Sequence, residues 1–329
     1  MIQRLLPAAL IAAALPATLA ADGNNTTVLS FFRGNGEAGV FLAASDDGHK
    51  FRALNGDKPV FAPPKWPDQS LTRDPSIVFQ DGTFHMVWTS NWKGRVFGYA
   101  HSPDLVDWSD PVMVEPFPQS LPGEDQPLNV WAPEIHRDPL HNDFFILFSA
   151  TTRRELDDGD SKIAHGLDHR TYIVRSPDGR SFSPARLFFD PGFSVIDPVL
   201  QPDPGSKRWV MVLKHELDPA DGGKNLRLAF APADLEQDFP PKFTKLSDPI
   251  LGPGSPLRPH EQVEGPSLFR RDGRWFLYCD AFTSHHYTLI SSADLTTWQD
   301  ETDRLEMPDG LRHGTVFTAP RDKVGWLRE

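Results

Sequence analysis

A short phrase recurs five times along the chain: an Asp in turn-forming text, followed four or five residues later by an aromatic. The pairs are Asp47 with Phe51, Asp104 with Trp108, Asp178 with Phe182, Asp234 with Phe239 and Asp294 with Trp298. Successive copies stand about 60 residues apart with strand-like text between them, the mark of a radial β-repeat. Asp and Ser favour tight turns and the aromatic suits packing between repeats, so these ten residues read as structural. Their value lies in what they imply. A propeller gathers the first strand of every blade around one axis, where residues far apart in sequence meet.

A second element precedes each of the last four phrases and recurs once more near the C-terminus. Short segments open on a polar or acidic residue beside Pro or Gly and then turn apolar: 73–79, 132–136, 196–200, 264–269 and 313–317. The first four lead into a turn and a β-rich run, the text of a hairpin. A third strand follows at 96–101, 170–175, 226–231 and 287–291. The fifth has almost no chain after it, and the N-terminal stretches 27–33, 39–44 and 51–54 supply the missing strands. The expectation is all-β: a five-bladed β-propeller whose last blade combines N- and C-terminal strands and so hides two sheet edges.

Residues 1–21 read as a secretory signal, with Arg4, an apolar run from Leu5 to Leu15 and a small-residue exit at 17–21. Residues 22–329 then form one domain, and a secreted or periplasmic site follows. A single cysteine, Cys279, rules out an internal disulfide, and its strand-like surroundings make it a buried small hydrophobe. The formal net charge of -12 argues against nucleic acid and anionic membranes as partners and favours a neutral carbohydrate. No membrane partner is expected after signal removal, and a monomer is expected.

The opening residues Asp74, Glu134, Asp197, Glu264 and His313 should collect at one mouth of the channel. Turn chemistry explains a lone Asp-Pro, but not four carboxylates and a His in five repeats, because crowded like charges raise one another's pKa. Two carboxyl groups of separated pKa are what cleavage of a glycosidic bond requires.

On these motifs the chain resembles family 43 of the glycoside hydrolases. The matching text is 73–76 (Arg-Asp-Pro-Ser), 131–134 (Trp-Ala-Pro-Glu), 196–198 (Ile-Asp-Pro), 264–266 (Glu-Gly-Pro) and 312–314 (Arg-His-Gly), in the family's order. The resemblance implies Asp74 as general base, Glu264 as general acid, and Asp197 as the residue that orients the acid and raises its pKa. It implies an inverting hydrolase of α-L-arabinofuranosides or β-D-xylosides. A retaining or galactan-type propeller glycosidase and a non-catalytic sugar-binding propeller stand as alternatives. No cofactor is required for the chemistry. His313 matches an axial His that faces a cation through water, so a structural calcium ion in the channel is the implied metal. The β-fructosidase signature is absent, which argues against fructans.

Strand direction places the loops between second and third strands on the same face. Trp92 and Phe282 are therefore candidate platforms for a sugar ring, and with Glu134 and Arg312 they make up the expected substrate-binding set. The long segment 151–169 carries His165 and His169; it is expected to be a solvated, substrate-selecting loop rather than a metal site.

Overall fold

The computed structural model describes residues 24–152 and 166–328. The signal-like segment 1–21 and most of 151–169, His165 included, lie outside the described residues. The N-terminal strands are β1 (Asn25–Arg33), β2 (Phe41–Ser45) and β3 (Arg52–Ala53). Blade I holds β4 (Arg73–Gln80), β5 (Thr83–Thr89), β6 (Phe97–Ser102) and β7 (Val112–Val114). Blade II holds β8 (Pro127–Asp138), β9 (Asp143–Thr152), β10 (Arg170–Ser176) and β11 (Arg186–Phe189). Blade III is β12 (Val195–Asp203), β13 (Arg208–His215) and β14 (Asn225–Ala231). Blade IV is β15 (Glu264–Arg271), β16 (Arg274–Ala281), β17 (His286–Ser292) and β18 (Trp298–Asp300), after which β19 (Leu311–Pro320) is the last strand among the described residues.

These strands form five antiparallel sheets, and the fifth runs in the order β19-β1-β2-β3. The protein is a five-bladed β-propeller closed by its two ends, as the sequence leads one to expect. Blade III is the exception to the four-stranded rule: its outer edge is lined by an irregular segment, with the isolated bridge Leu226↔Leu251 and backbone hydrogen bonds from Thr244, Ser247 and Ile250 to Phe230, Leu228 and Leu226.

Side chains alternate along each strand, so every interior sheet serves two neighbours. In β9, Phe145 and Leu147 enter the core shared with blade III, while Ile146 and Phe148 enter the core shared with blade I. Five apolar clusters result among the described residues, one between each pair of adjacent blades. The recurring phrase does the same job in all five copies. Each Asp carboxylate accepts the backbone N–H groups two and three residues ahead, as Asp47 does from His49 and Lys50, both at 2.8 Å. The following aromatic then packs against a neighbouring blade: Phe182 on Phe97 and Tyr99, Phe51 edge-on to Tyr278. Cys279 is fully buried, within hydrogen-bond distance of the Thr288 hydroxyl.

Candidate active site

All five innermost strands break register at the same height. The breaks fall between Arg73 and Ser76, Trp131 and Glu134, Ile196 and Val199, Glu264 and Ser267, and opposite Ser30–Phe32 in β1. Aligned on these bulges, the strands present three successive levels. The first is Arg73, Trp131, Ile196, Glu264 and Arg312, all of which line one cavity of about 640 Å³. The second is Asp74, Ala132, Asp197, Gly265 and His313. The third is Ser76, Glu134, Val199, Ser267 and Thr315.

The second level is strained. Asp74, Ala132, Asp197 and Gly265 have φ of 50°, 45°, 55° and 58°, a region that costs a non-glycine residue roughly 1 kcal/mol or more. Links between blades hold it there. The Ala132 amide donates to Thr89 Oγ1 (2.7 Å), the Asp197 amide to Ser149 Oγ (3.1 Å) and the His313 amide to Asp280 Oδ2 (3.3 Å). In blade III the position matching Thr89, Ser149 and Asp280 is Lys214, which offers no acceptor. The Gly265 amide turns instead to Asp197 Oδ2 at 3.0 Å. Gly265 has no freedom to carry a side chain, since a Cβ there would fall 2.4 Å from the His313 ring.

Asp74, Asp197 and Glu264 thus come from three blades to one cavity. His313 Nδ1 lies 3.3 Å from Asp74 Oδ1 and 4.0 Å from Asp197 Oδ2. Burial alone would raise the Asp74 carboxyl; the facing His313 charge, with help from Arg73 and Thr89, brings it down to about 2. Burial opposes the His313 charge, but Asp197 and Asp74 outweigh it and lift the imidazole to about 10. Asp197 goes the other way. Burial raises it, His313 resists, and the Glu264 charge adds to the rise, leaving it near 6. One carboxylate is held ionised and another is poised to take a proton.

Glu264 is gripped at both oxygens, by Lys214 Nζ at 2.9 Å and Arg312 Nη2 at 3.3 Å. Arg312 also donates through Nε to the buried Asp280 (2.7 Å). Lys214 continues to Glu216 (2.8 Å), and Glu216 to Lys224 (2.6 Å). Sequence reasoning assigned no role to Lys214, Asp280 or Glu216. They lie on the second strands and the loops beyond, and no motif marks them. Lys214 and Asp280 pair across the sheet with Ile196 and Glu264, so counting back from each hairpin turn would have located both.

Trp92 and Phe282 line the cavity as expected, Trp92 at 47% exposure. Lys214 Nζ sits 4.7 Å from the Phe282 ring centroid. Two expectations need correction. Glu134 does not join the substrate-binding set. It is two residues beyond the second-level Ala132 and accepts from Ser76 Oγ (2.6 Å) and Thr315 Oγ1 (2.9 Å), beside a separate axial cavity of about 270 Å³. The prolines at 75, 133, 198 and 266 are the true markers of register, and Glu134 follows its Pro where Asp74 and Asp197 precede theirs. His169 is not part of a solvated loop. It is 1% exposed, within 2.9 Å of Asn129 Nδ2, with its ring 4.7 Å from that of Trp131.

The cation implied at His313 finds no direct donor set. Among the described residues no three His, Cys, Asp or Glu side chains are grouped to hold a metal, and the His313 ring is committed to Asp74.

Residues 23–324 match a family model described as a probable glycosyl hydrolase domain, the group related to glycoside hydrolase family 43. The chain belongs to this family. No curated protein matches its sequence. Among solved structures it is similar to an α-L-arabinofuranosidase from Lactobacillus brevis (20% identity, 70% of this chain and 72% of that one, TM-score 0.51). It is similar to an endo-arabinase from Bacteroides thetaiotaomicron (15% identity, 77% and 95%, TM-score 0.52). A xylan β-1,4-xylosidase from Bacillus halodurans aligns at 20% identity over 70% of this chain but only 41% of its own (TM-score 0.52). At these identities the likeness establishes a shared fold.

Proposed function

We propose that this family member hydrolyses α-L-arabinofuranosidic or β-D-xylosidic bonds with inversion at the anomeric carbon. One observation supports the reading above others: Asp74, Asp197 and Glu264 meet in a single cavity with distinct electrostatic settings. Asp74, kept ionised by His313, is the base that takes a proton from the attacking water. Glu264 is the acid that protonates the leaving oxygen, its carboxyl oriented by Lys214 and Arg312. Asp197 accepts the Gly265 amide and so fixes the backbone that carries the acid. The signal-like text at 1–21 supports action outside the cytoplasm.

The test uses nitrophenyl α-L-arabinofuranoside and β-D-xyloside with the parent chain, Asp74→Asn and Glu264→Gln. The parent should release nitrophenol, with proton NMR showing the inverted anomer first. Each variant should lose at least 100-fold in kcat/KM, in line with the usual worth of general acid–base groups (about 10²–10⁴). Full activity in either variant removes that residue from the mechanism. Sugar binding without release by all three proteins would make the propeller a lectin.

A further inference from the structure

We propose that the mouth of the propeller binds a carboxylate-bearing sugar, a uronic acid residue of the substrate, and that Arg73 receives the carboxylate. This rests on the glycoside reading above and narrows its substrate class.

The argument starts from the cations lining the cavity. Lys214 is paired with Glu216 and Glu264, Lys224 with Glu216, Arg312 with Asp280 and Glu264, and His313 with Asp74. Arg73 lines the same cavity, is 8% exposed, and has no carboxylate at ion-pair distance among the described residues. Asp74 and Glu37 feel its charge from a distance, but no carboxylate among the described residues touches it. A buried guanidinium without a direct ionic partner is costly, and a carboxylate delivered by a ligand satisfies it with two parallel hydrogen bonds.

The group is seated rather than loose. Its Cζ lies 4.7 Å from the Phe32 ring centroid and 4.1 Å from that of Trp92. Nη1 donates to Asn35 Oδ1 at 2.9 Å, and the same oxygen accepts from Trp92 Nε1 at 2.8 Å. The turn beneath is closed on the stem: at Gly36, with φ of 92°, a Cβ would fall 2.8 Å from Arg73 Cγ. Asn35 thus locks the Arg73 fork and the exposed Trp92 ring into one unit. Nε and Nη2 of Arg73 have no hydrogen-bond partner among the described residues, so two donors of the fork are left for a ligand. A ring platform beside a free guanidinium edge suits a pyranose with a planar anionic substituent.

The expectation of a neutral substrate came from the net charge of -12. That charge governs approach from a distance and is screened beyond about 8 Å at physiological salt, whereas the contact itself is local. Arg73 also lowers the neighbouring Asp74 carboxyl, so a purely electrostatic role must be separated from binding.

Equilibrium binding without turnover separates them. The full chain, Arg73→Gln and Arg73→Lys are titrated calorimetrically with methyl β-D-glucuronide, methyl α-D-galacturonide, their uncharged glucoside and galactoside counterparts, and galactose 6-sulfate. The parent should favour at least one uronide over its uncharged counterpart by tenfold or more, with added salt weakening only the charged ligand. Arg73→Gln should abolish the preference, and Arg73→Lys should keep a fraction of it because an ammonium lacks the fork. If Arg73→Gln fails to fold by thermal melting, Asn35→Ala replaces it and should cut the preference by unseating the fork. Equal affinity for charged and uncharged sugars in the parent overturns the proposal, as does a preference that survives in the variants or one for sulfate over carboxylate. Failure to cleave any nitrophenyl glycoside, with the uronide preference intact, would instead count against hydrolysis alone.

Discussion

His313 determines what Asp74 can do. A buried carboxyl left to itself would hold its proton; the imidazolium 3.3 Å away reverses this, and the pair is stable as an ion pair across the neutral range. The acid limb of kcat/KM for the parent should therefore lie below ordinary assay pH, since the base deprotonates near 2. In His313→Asn the charge is gone and burial prevails. That limb should move up by more than one unit into the measurable range, with activity at high pH affected less. A pH–rate profile from pH 3 to 9 checks this, and an unmoved limb would show that another group sets the ionisation of Asp74. The same logic explains which site residues could be read from the chain. Asp74, Asp197 and Glu264 sit beside Pro or Gly in repeated text. Lys214 holds Glu264 directly, and Asp280 holds it through Arg312, from strands whose text is ordinary.

At the level of the strand, the bulge is the device that builds the site. It inserts residues in a left-handed conformation at the same height in four blades, and so turns a channel wall into a ring of inward-pointing groups. Side chains there change level with every residue, so a two-residue slip in reading carried Glu134 from an expected substrate contact to the deep axial cavity. The hairpins on either side were legible because Asp-Gly turns and alternating apolar residues are local signals. The bulge was not, because its evidence is a pairing between strands. Close packing within a blade makes a further prediction. Trp88 is fully buried and pairs across the sheet with Gly98, where a Cβ would fall 2.0 Å from the indole ring. Gly98→Ala should destabilise the protein by about 3 kcal/mol or more, as overpacking does. Gly98→Ala should cost less when made in Trp88→Phe than in the parent. Denaturant unfolding of the four proteins tests the coupling, and simple additivity would deny the clash.

Across the whole molecule, five inter-blade cores and an axial polar cluster hold the ring. Glu134 of blade II, Ser76 of blade I and Thr315 of blade V meet at that axis. Burial raises the Glu134 carboxyl to about 7 despite both hydroxyl donors and the His313 charge. Its folded pKa thus exceeds its unfolded value near 4.5, so its contribution to stability is complete below about pH 4.5 and is lost as the pH rises through 7. Glu134→Gln should flatten the fall in stability between these limits, and the variant should melt higher relative to the parent at pH 8 than at pH 5. Identical pH dependence of the two melting curves would contradict it. The ring itself was legible because its closing blade needed strands that only the N-terminal stretches could supply. Its closure also has a mechanical side. Asn25 pairs with Pro320 at one end of the β1–β19 ladder and Arg33 with Leu311 at the other. Tension applied through residues 25 and 320 would load the rungs singly, peeling the clasp open from that edge. A ladder loaded along its length would share the force among all its rungs, so this circle should yield first at its seam.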